Sequence, residues 1–306
     1  MRGYRPDPVA GLEIHPLSEL RSEAAGLLGE RFARQRAAEP LLPEVEDFEP
    51  YLPEAGHVAT RGGEAVAYLG GTVDEEYRIA RWLFAGHAAS EPEALRDLFA
   101  LQAGELGLSR FMLTVPSSAP ELVDAWFRLG FGCQAVWAVR EPEPLPPVDF
   151  GGEIRLATED DLGVGLDLFG ELVDHQARTP SFSDFRVQPR EELEAEALED
   201  FRKEIFVELV AERDGRIVGW LSLYDRPEGD LRVPAGNIDL SFAATLPDVR
   251  GDGVGLALTH HALAYAAEHG FRSITVDWRS VNLLSSRFWP KRGFRPTYLR
   301  LYRAVP

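Results

Sequence analysis

The stretch Ile238–Gly270, IDLSFAATLPDVRGDGVGLALTHHALAYAAEHG, decides how the second half of the chain folds. Apolar alternation over Asn237–Thr245 reads as a strand, and apolar residues spaced by threes and fours over Gly253–Glu268 read as a helix. Between them lies a turn with glycine at 251, 253 and 255. Glycine leaves the backbone bare, so several N–H groups can converge on one anion. The helix that opens there adds its own unpaired N–H groups and the positive end of its dipole. The local chemistry is that of a phosphate site, and a diphosphate suits its size.

Phosphate loops come in several forms. A P-loop requires Lys followed by Ser or Thr after the last glycine; Leu256-Ala257 stands there and excludes it. A dinucleotide fingerprint starting at Gly253-Val254-Gly255 requires a small residue at 258, which is Leu258. Asp277, ending the next strand, could imitate the ribose-binding acid, but Leu246–Gly251 separates strand and glycines by more than a tight turn allows. A turn without a ligand stays open, as does the pattern R-x-x-G-x-G formed by Arg250, Gly253 and Gly255.

Working outward, strands are expected at Glu153–Leu156, Val207–Glu212, Ile217–Tyr224 and Ser273–Asp277, a helix at Leu283–Arg292 and a last strand near Tyr298–Tyr302. The segment EPEPLPPVDFGG, 141–152, cannot continue a helix or a central strand and reads as a linker. Before it the same kind of series runs: a strand near Leu12, helices Glu19–Arg36 and Glu44–Tyr51, and strands His57–Thr60, Ala65–Thr72 and Arg78–Ala85. Helix Glu93–Glu105, strand Arg110–Val115, helix Pro120–Leu129 and strand Gln134–Val139 follow. AWFRLGF at Ala125–Phe131 resembles FWPKRGF at Phe288–Phe294, each with Trp four residues before a Gly-Phe pair. The repeated motif and element order indicate tandem duplication. The expected domains are 1–140, the linker 141–152, and 153–306.

Composition narrows the function classes. A chain of 306 residues with 45% apolar content can bury a core in each half. The single cysteine, Cys133, allows no internal disulfide, and neither a signal peptide nor a membrane-length apolar run is read, which suggests a soluble cytoplasmic protein. The formal charge of -18 argues against nucleic acid as a partner and suits a cationic small molecule, although acids also serve solubility alone. His260 and His261 point different ways on one helix with no nearby ligand spacing, so no metal site is expected.

The two motifs DVRGDGVGLAL and VDWRSVNLLSSRFWPKRGF, with the element order of Glu153–Arg303, resemble the GNAT acetyltransferase family. The resemblance implies an α/β (α+β) fold of two tandem GNAT-like domains, each a twisted mixed β-sheet flanked by helices. The tandem layout is similar to two-domain actinobacterial members such as the mycothiol synthases. Acetyl-CoA or another acyl-CoA is the implied cosubstrate, without a metal, and a small-molecule amine is the implied acceptor. Ala243, Ala244 and Thr245 would pair with the pantetheine arm. Arg250 and the loop Gly251, Asp252, Gly253, Val254, Gly255, Leu256 would hold the pyrophosphate, and Asn282 would contact the CoA arm while also suiting a helix N-cap. A side chain at 253 is expected to occupy pyrophosphate space.

Attack on a thioester needs a neutral amine. For a lysine-like amine of pKa ~10.4, deprotonation at pH 7 costs about 4.6 kcal/mol. Holding the reactants together contributes up to roughly 7–11 kcal/mol, so positioning outweighs any one base. Asp239 and Asp277 both fit the base role by resemblance to two branches of the family, and Asp239 is the first choice. The family commonly has a proton-donating tyrosine where this chain has Trp289, whose indole is no useful acid. Tyr298 and Tyr302 are the substitutes considered. The departure keeps a non-catalytic acyl-CoA sensor open, and an O-acyl or aminoacyl transferase is a further alternative.

The corresponding loop in the first half, FAGHAASEPEALRDL at 84–98, has Glu91 and Glu93 in place of glycines, and Ala119 stands where Asn282 does in the second. That half reads as a GNAT-like domain without a donor site. Calorimetric titration with CoA is expected to fit one site per chain; a value near two would show that the first domain also binds.

Overall fold

The computed structural model describes residues 11–178, 180, 188–227 and 229–305. The chain divides into two compact units, one of Met1–Trp137 with Pro296–Pro306 and one of Ala138–Arg295. The strands of the first unit fall in two sheets and those of the second share one mixed sheet, with helices in both.

In the first unit, β1 (Leu12–Pro16) precedes α1 (Arg21–Ala38), and the hairpin of β2 (Gly56–Arg61) and β3 (Glu64–Gly70) follows. Then come β4 (Thr72–Asp74), β5 (Ile79–Trp82), β6 (His87–Ala89), α2 (Ala94–Leu106), β7 (Arg110–Pro116), α3 (Pro120–Arg128) and β8 (Gly132–Arg140), within which the unit boundary falls. The expected strand Arg78–Ala85 thus ends early, at Trp82, and a separate strand starts at His87. The first, β5, pairs parallel with β7, while β6 pairs antiparallel with β3. The expected helix Glu44–Tyr51 is only a 3-10 turn at Glu49–Tyr51, with Pro50 in its first turn.

The second unit contains β9 (Glu153–Leu156), α4 (Leu162–Ala177), α5 (Arg190–Arg202), β10 (Phe206–Arg213), β11 (Arg216–Tyr224), β12 (Asn237–Thr245), α6 (Val254–Glu268), β13 (Ser273–Arg279) and α7 (Leu283–Ser286). β9 to β12 are antiparallel neighbours in sequence order, and β12 then pairs parallel with β13. The expected helix Leu283–Arg292 is α7 followed by a 3-10 turn at Pro290–Arg292. Pro290 lacks the N–H that continued α-helix would require.

The last strand, β14 (Arg295–Ala304), was expected to complete the second domain. Residues 296–305 instead pack in the first unit. β14 runs antiparallel to β7 from Tyr298↔Pro116 to Ala304↔Arg110. Tyr298 and Leu301 are fully buried there, with the Tyr298 ring 5.1 Å from Phe84.

The repeated motif has the same geometry in both units. Gly130 and Gly293 are left-handed at φ 80° and 79°. The N–H of Phe131 reaches Trp126 O at 3.2 Å, and that of Phe294 reaches Trp289 O at 3.3 Å. Edge-to-face ring pairs result, Trp126–Phe131 at 5.2 Å and Trp289–Phe294 at 5.4 Å. A left-handed glycine closes the helix end and turns the next aromatic back under its own tryptophan.

Two glycines seat the helices of the second unit. A Cβ on Gly219 of β11 would lie 2.9 Å from Val254 and 3.0 Å from Leu258, so its absence lets the start of α6 rest on the sheet. A Cβ on Gly165 of α4 would meet the Trp220 ring at 3.1 Å. The segment 141–152 also packs, with Phe150 buried and Pro146 O accepting from His260 at 2.7 Å. No described helix is long and apolar enough to cross a membrane.

The first unit buries Arg31, which donates to the carbonyls of His87 and Phe84. His87 is wholly enclosed, its Nε2 donating to Thr114 O at 3.0 Å. Burial, then the neighbouring Arg31 charge, push its pKa from 6.5 down to about 3. Between those values the unfolded chain binds a proton that the folded chain refuses, so stability is full above pH 6.5 and is lost as pH falls toward 3. His87→Gln is expected to shrink the difference between urea midpoints at pH 7 and pH 5; an unchanged difference would assign the acid sensitivity elsewhere.

Candidate acyl-donor site

The site begins where two strands part. β12 and β13 pair from Asn237↔Ser273 to Leu240↔Val276 and no further. β12 continues to Thr245 and β13 to Arg279. The register of β12 against β11 shifts at the same place, leaving Ser241 as the extra residue between Leu240↔Leu223 and Phe242↔Ser222. A bulge bends its strand. Residues 242–245 thereby keep β11 on one side and present an unpaired backbone edge on the other.

After Thr245 a 3-10 turn at Pro247–Val249 leads to Gly251 at φ 100° and Gly253 at φ 91°, where α6 starts. No side chain caps this helix, and its first turn holds no acid. The Val254, Gly255 and Leu256 N–H groups precede the first intrahelical bond, Ala257 N to Gly253 O at 2.9 Å. They therefore point out of the helix end as donors.

A cleft of about 420 Å³ collects these features. It is lined by Ala243, Ala244 and Thr245 of the strand edge, by Arg250, Gly251, Gly253, Val254, Gly255 and Leu256 of the loop, and by Asn282. The structure thus brings together most of the cofactor residues expected from sequence. Asp252 is placed differently. Its N–H goes to Val249 O at 3.2 Å and its carboxylate to Arg213 at 2.9 Å, so it braces the loop from outside. Asp248 is likewise held by Arg216 at 2.8 Å. Both loop acids are neutralised by arginines of the β10–β11 hairpin.

Asn282 is nine-tenths buried and caps α7, accepting from Leu284 N at 3.1 Å and donating to Ser285 at 3.1 Å. His175 Nε2 lies 3.4 Å from its Oδ1. His175, Glu171 and Leu172 belong to α4, and they line the cleft without any sequence motif to announce them. Trp289 is a buried cleft wall beside Phe288 and Phe294. Its counterpart Trp126 is a core residue of the first unit, so a tryptophan here is explained by packing. Tyr298 and Tyr302 belong to the first unit and do not line the cleft.

Beside Leu256 a second hollow is lined by Arg140, His260, Lys291 and Arg292. Arg292 also stacks on Phe288, 3.9 Å from its centroid. These bases gather at the loop in a chain of net charge -18, which concentrates positive potential where an anion would bind.

The two expected acids lie on the sheet face that bears α4, outside the cleft wall. Asp239 is mostly enclosed, and both its oxygens are occupied, by Arg226 at 2.6 Å and Thr275 at 2.7 Å. Asp277 is the first residue of β13 beyond the last paired position. Among the described residues its carboxylate has no hydrogen-bond partner. Crowding by surrounding atoms, then the Asp239 charge, raise its pKa, opposed by Arg279, Arg232 and Arg226. Its side chain still reaches solvent, which moderates the shift. Among the described residues no cluster of His, Cys, Asp and Glu could hold a metal ion.

Residues 171–294 match the acetyltransferase (GNAT) family. Over 101 residues the chain is 27% identical to a mycothiol acetyltransferase of Cellulomonas flavigena, a match spanning 32% of this chain and 29% of that protein. A GCN5-related N-acetyltransferase from Sphaerobacter thermophilus has a similar fold, with TM-score 0.59 and 15% identity over 98% of both chains. A GNAT-family acetyltransferase from Colwellia psychrerythraea gives TM-score 0.52 and 12% identity, covering 96% of this chain and 100% of that one. The likeness to the GNAT family thus lies in the second unit, and the chain matches less than a third of the length of that mycothiol acetyltransferase.

The loop glycines differ in what surrounds them. A Cβ on Gly253 would meet Val148 at 3.4 Å and Phe150 at 3.9 Å, on the side of the 141–152 segment. The sequence-based expectation that it would fill pyrophosphate space is therefore revised. A Cβ on Gly255 faces Thr245 at 3.8 Å and Phe288 at 4.0 Å, both cleft walls, with no backbone penalty. Gly255→Val is expected to leave the melting temperature nearly unchanged and to weaken CoA binding at least tenfold by calorimetry. Gly253→Val is expected to lower stability by roughly 1–2 kcal/mol through its left-handed backbone. Near-normal affinity in folded Gly255→Val would remove the cleft from the donor role.

Proposed function

We propose that the second unit binds acetyl-CoA in this cleft and transfers its acyl group to the amine of a small, cationic acceptor by direct attack. The observation that carries the reading is the convergence of an unpaired strand edge and an uncapped helix start on one cleft. The edge at Ala243–Thr245 suits an amide-bearing pantetheine arm, which can continue the ladder that β13 abandons. The N–H groups of Val254, Gly255 and Leu256, with Arg250, suit a diphosphate. Arg140, Lys291 and Arg292 beside Leu256 suit a further phosphate.

Bound acyl-CoA supplies an electrophilic thioester carbonyl, whose C–S bond breaks as the C–N bond forms. The free carboxylate of Asp277, at the fork between β12 and β13, takes the proton the amine must lose. A raised pKa makes it a stronger base than an ordinary aspartate. Asp239 holds Arg226 and Thr275 in place and steadies the fork. His175, reaching into the cleft beside Asn282, provides the proton-bearing group that Trp289 cannot.

Thiol release from acetyl-CoA across an amine panel tests the reading, and absence of turnover with CoA bound would favour the sensor. Asp277→Asn is expected to lower kcat/KM roughly 10²-fold at pH 7 with CoA affinity unchanged. The defect should shrink as pH approaches the acceptor's own pKa, where the amine is already neutral. A uniform loss across pH would show that Asp277 acts through structure instead.

A further inference from the structure

A second cavity, of about 260 Å³, lies between α4, α5 and the sheet. Its walls include the rings of Phe169, Phe206, Trp220 and Phe242, and its polar floor includes Glu208 and Ser222. Phe169 and Phe242 pack edge to face at 6.0 Å, and Phe206 packs on Tyr224 at 5.3 Å. None of the described residues that line it is basic.

Glu208 is a carboxylate inside an otherwise apolar, aromatic hollow. Trp220 Nε1, 2.5 Å away, and the Ser222 hydroxyl both donate to its Oε2. Trp220 and Ser222 are themselves buried, so these bonds fix the carboxylate in one orientation. Among the described residues Oε1 has no hydrogen-bond partner. Arginines neutralise Asp239, Asp248 and Asp252 in the same unit, whereas among the described residues Glu208 has no counter-charge of its own. Burial accordingly holds its carboxyl above the ordinary range despite the two donors. An enclosed carboxylate among ring faces is complementary to an organic cation, which gains from both the charge and the quadrupoles.

The cavity adjoins the donor cleft along two elements. Ser241 and Phe242 of β12 line it, while Ala243–Thr245 line the donor cleft. Leu166 and Phe169 of α4 face it, while Leu172 and His175 face the donor cleft. Glu208 stands opposite Ser222, and the next pair on that sheet face is Tyr224 opposite Asp239. Glu208 is thus three strand spacings from Asp277, about 14 Å at ~4.8 Å each.

We infer that this cavity is a subsite for a second cationic group on the acceptor, with Glu208 as its counter-charge and the four rings as its walls. The inference rests on the second unit being an amine acyltransferase, and it narrows the acceptor to molecules with two basic groups joined by a chain. One ammonium lodges against Glu208 Oε1. The other end reaches the fork and is the amine that reacts.

The test separates this subsite from the donor site by measuring binding without turnover. The full chain, with and without saturating CoA, is titrated calorimetrically with 1,5-diaminopentane and with 5-amino-1-pentanol, which lacks the second cation. The diamine is expected to bind at least tenfold more tightly than the amino alcohol. Glu208→Gln, which can still accept from Trp220 and Ser222, is expected to weaken the diamine about tenfold or more. Phe169→Leu, which keeps an apolar wall but removes one ring face, is expected to weaken it several-fold. Equal affinities for the two probes, or diamine affinity unchanged in folded Glu208→Gln, would overturn the subsite. Failure of CoA itself to bind would overturn the donor site, while the titration without CoA would still decide the subsite.

Discussion

The second unit is organised by the early end of one strand ladder. β12 and β13 share hydrogen bonds only to Leu240↔Val276, and backbone groups beyond that point need other partners. The shift at Ser241 turns β12 away, Gly219 lets α6 sit close enough to begin at the end of β12, and the left-handed glycines carry the chain between them. The donor cleft, the fork that carries Asp277 and the neighbouring aromatic cavity all border this opening.

The first unit has a related parting put to a different use. β5 keeps the parallel partner and β6 the antiparallel one, with Leu83–Gly86 between them. Glu91, just beyond β6, is held by Arg61 at 2.8 Å. Trp82, Phe99, Phe111, Trp126 and Phe131 join one continuous core, with Trp82 stacked on Phe111 at 5.6 Å. Aromatic packing and an ion pair stand where the second unit offers bare backbone N–H groups. The two units thus share the helix-ending motif and differ in the chemistry at the turn.

Charge is distributed against the average of the chain. A protein of net charge -18 gathers Arg140, His260, Lys291 and Arg292 at the loop helix and leaves Glu208 alone among rings on the α4 side of the sheet. The first arrangement suits an anion and the second a cation. Such local complementarity steers and orders ligands more than it adds to fold stability.

The sequence by itself determined the features whose causes are local. Glycines at 251, 253 and 255 between an alternating strand and an amphipathic helix can be read as a phosphate loop, because backbone freedom and helix-end donors depend on neighbours in the chain. The Trp-x-x-x-Gly-Phe repeat was legible for the same reason, since a left-handed glycine closes one turn. α4 and α5 were not legible: Gly163, Gly165 and Gly170 interrupt the first, and the second, REELEAEALEDFR, buries no residue and so has no apolar stripe. His175 and Phe169 were missed with them. Only the tertiary structure decided that β14 packs with β7, because strand partners are chosen by distant residues. It also gave the two aspartates, of which the sequence favours Asp239, different surroundings. Among the described residues Asp239 has both oxygens engaged, Asp277 stands at the fork with none engaged, and Glu208 is surrounded by rings. Whether a carboxylate is free, paired or enclosed depends on what the fold brings beside it, and residue order along the chain does not record that.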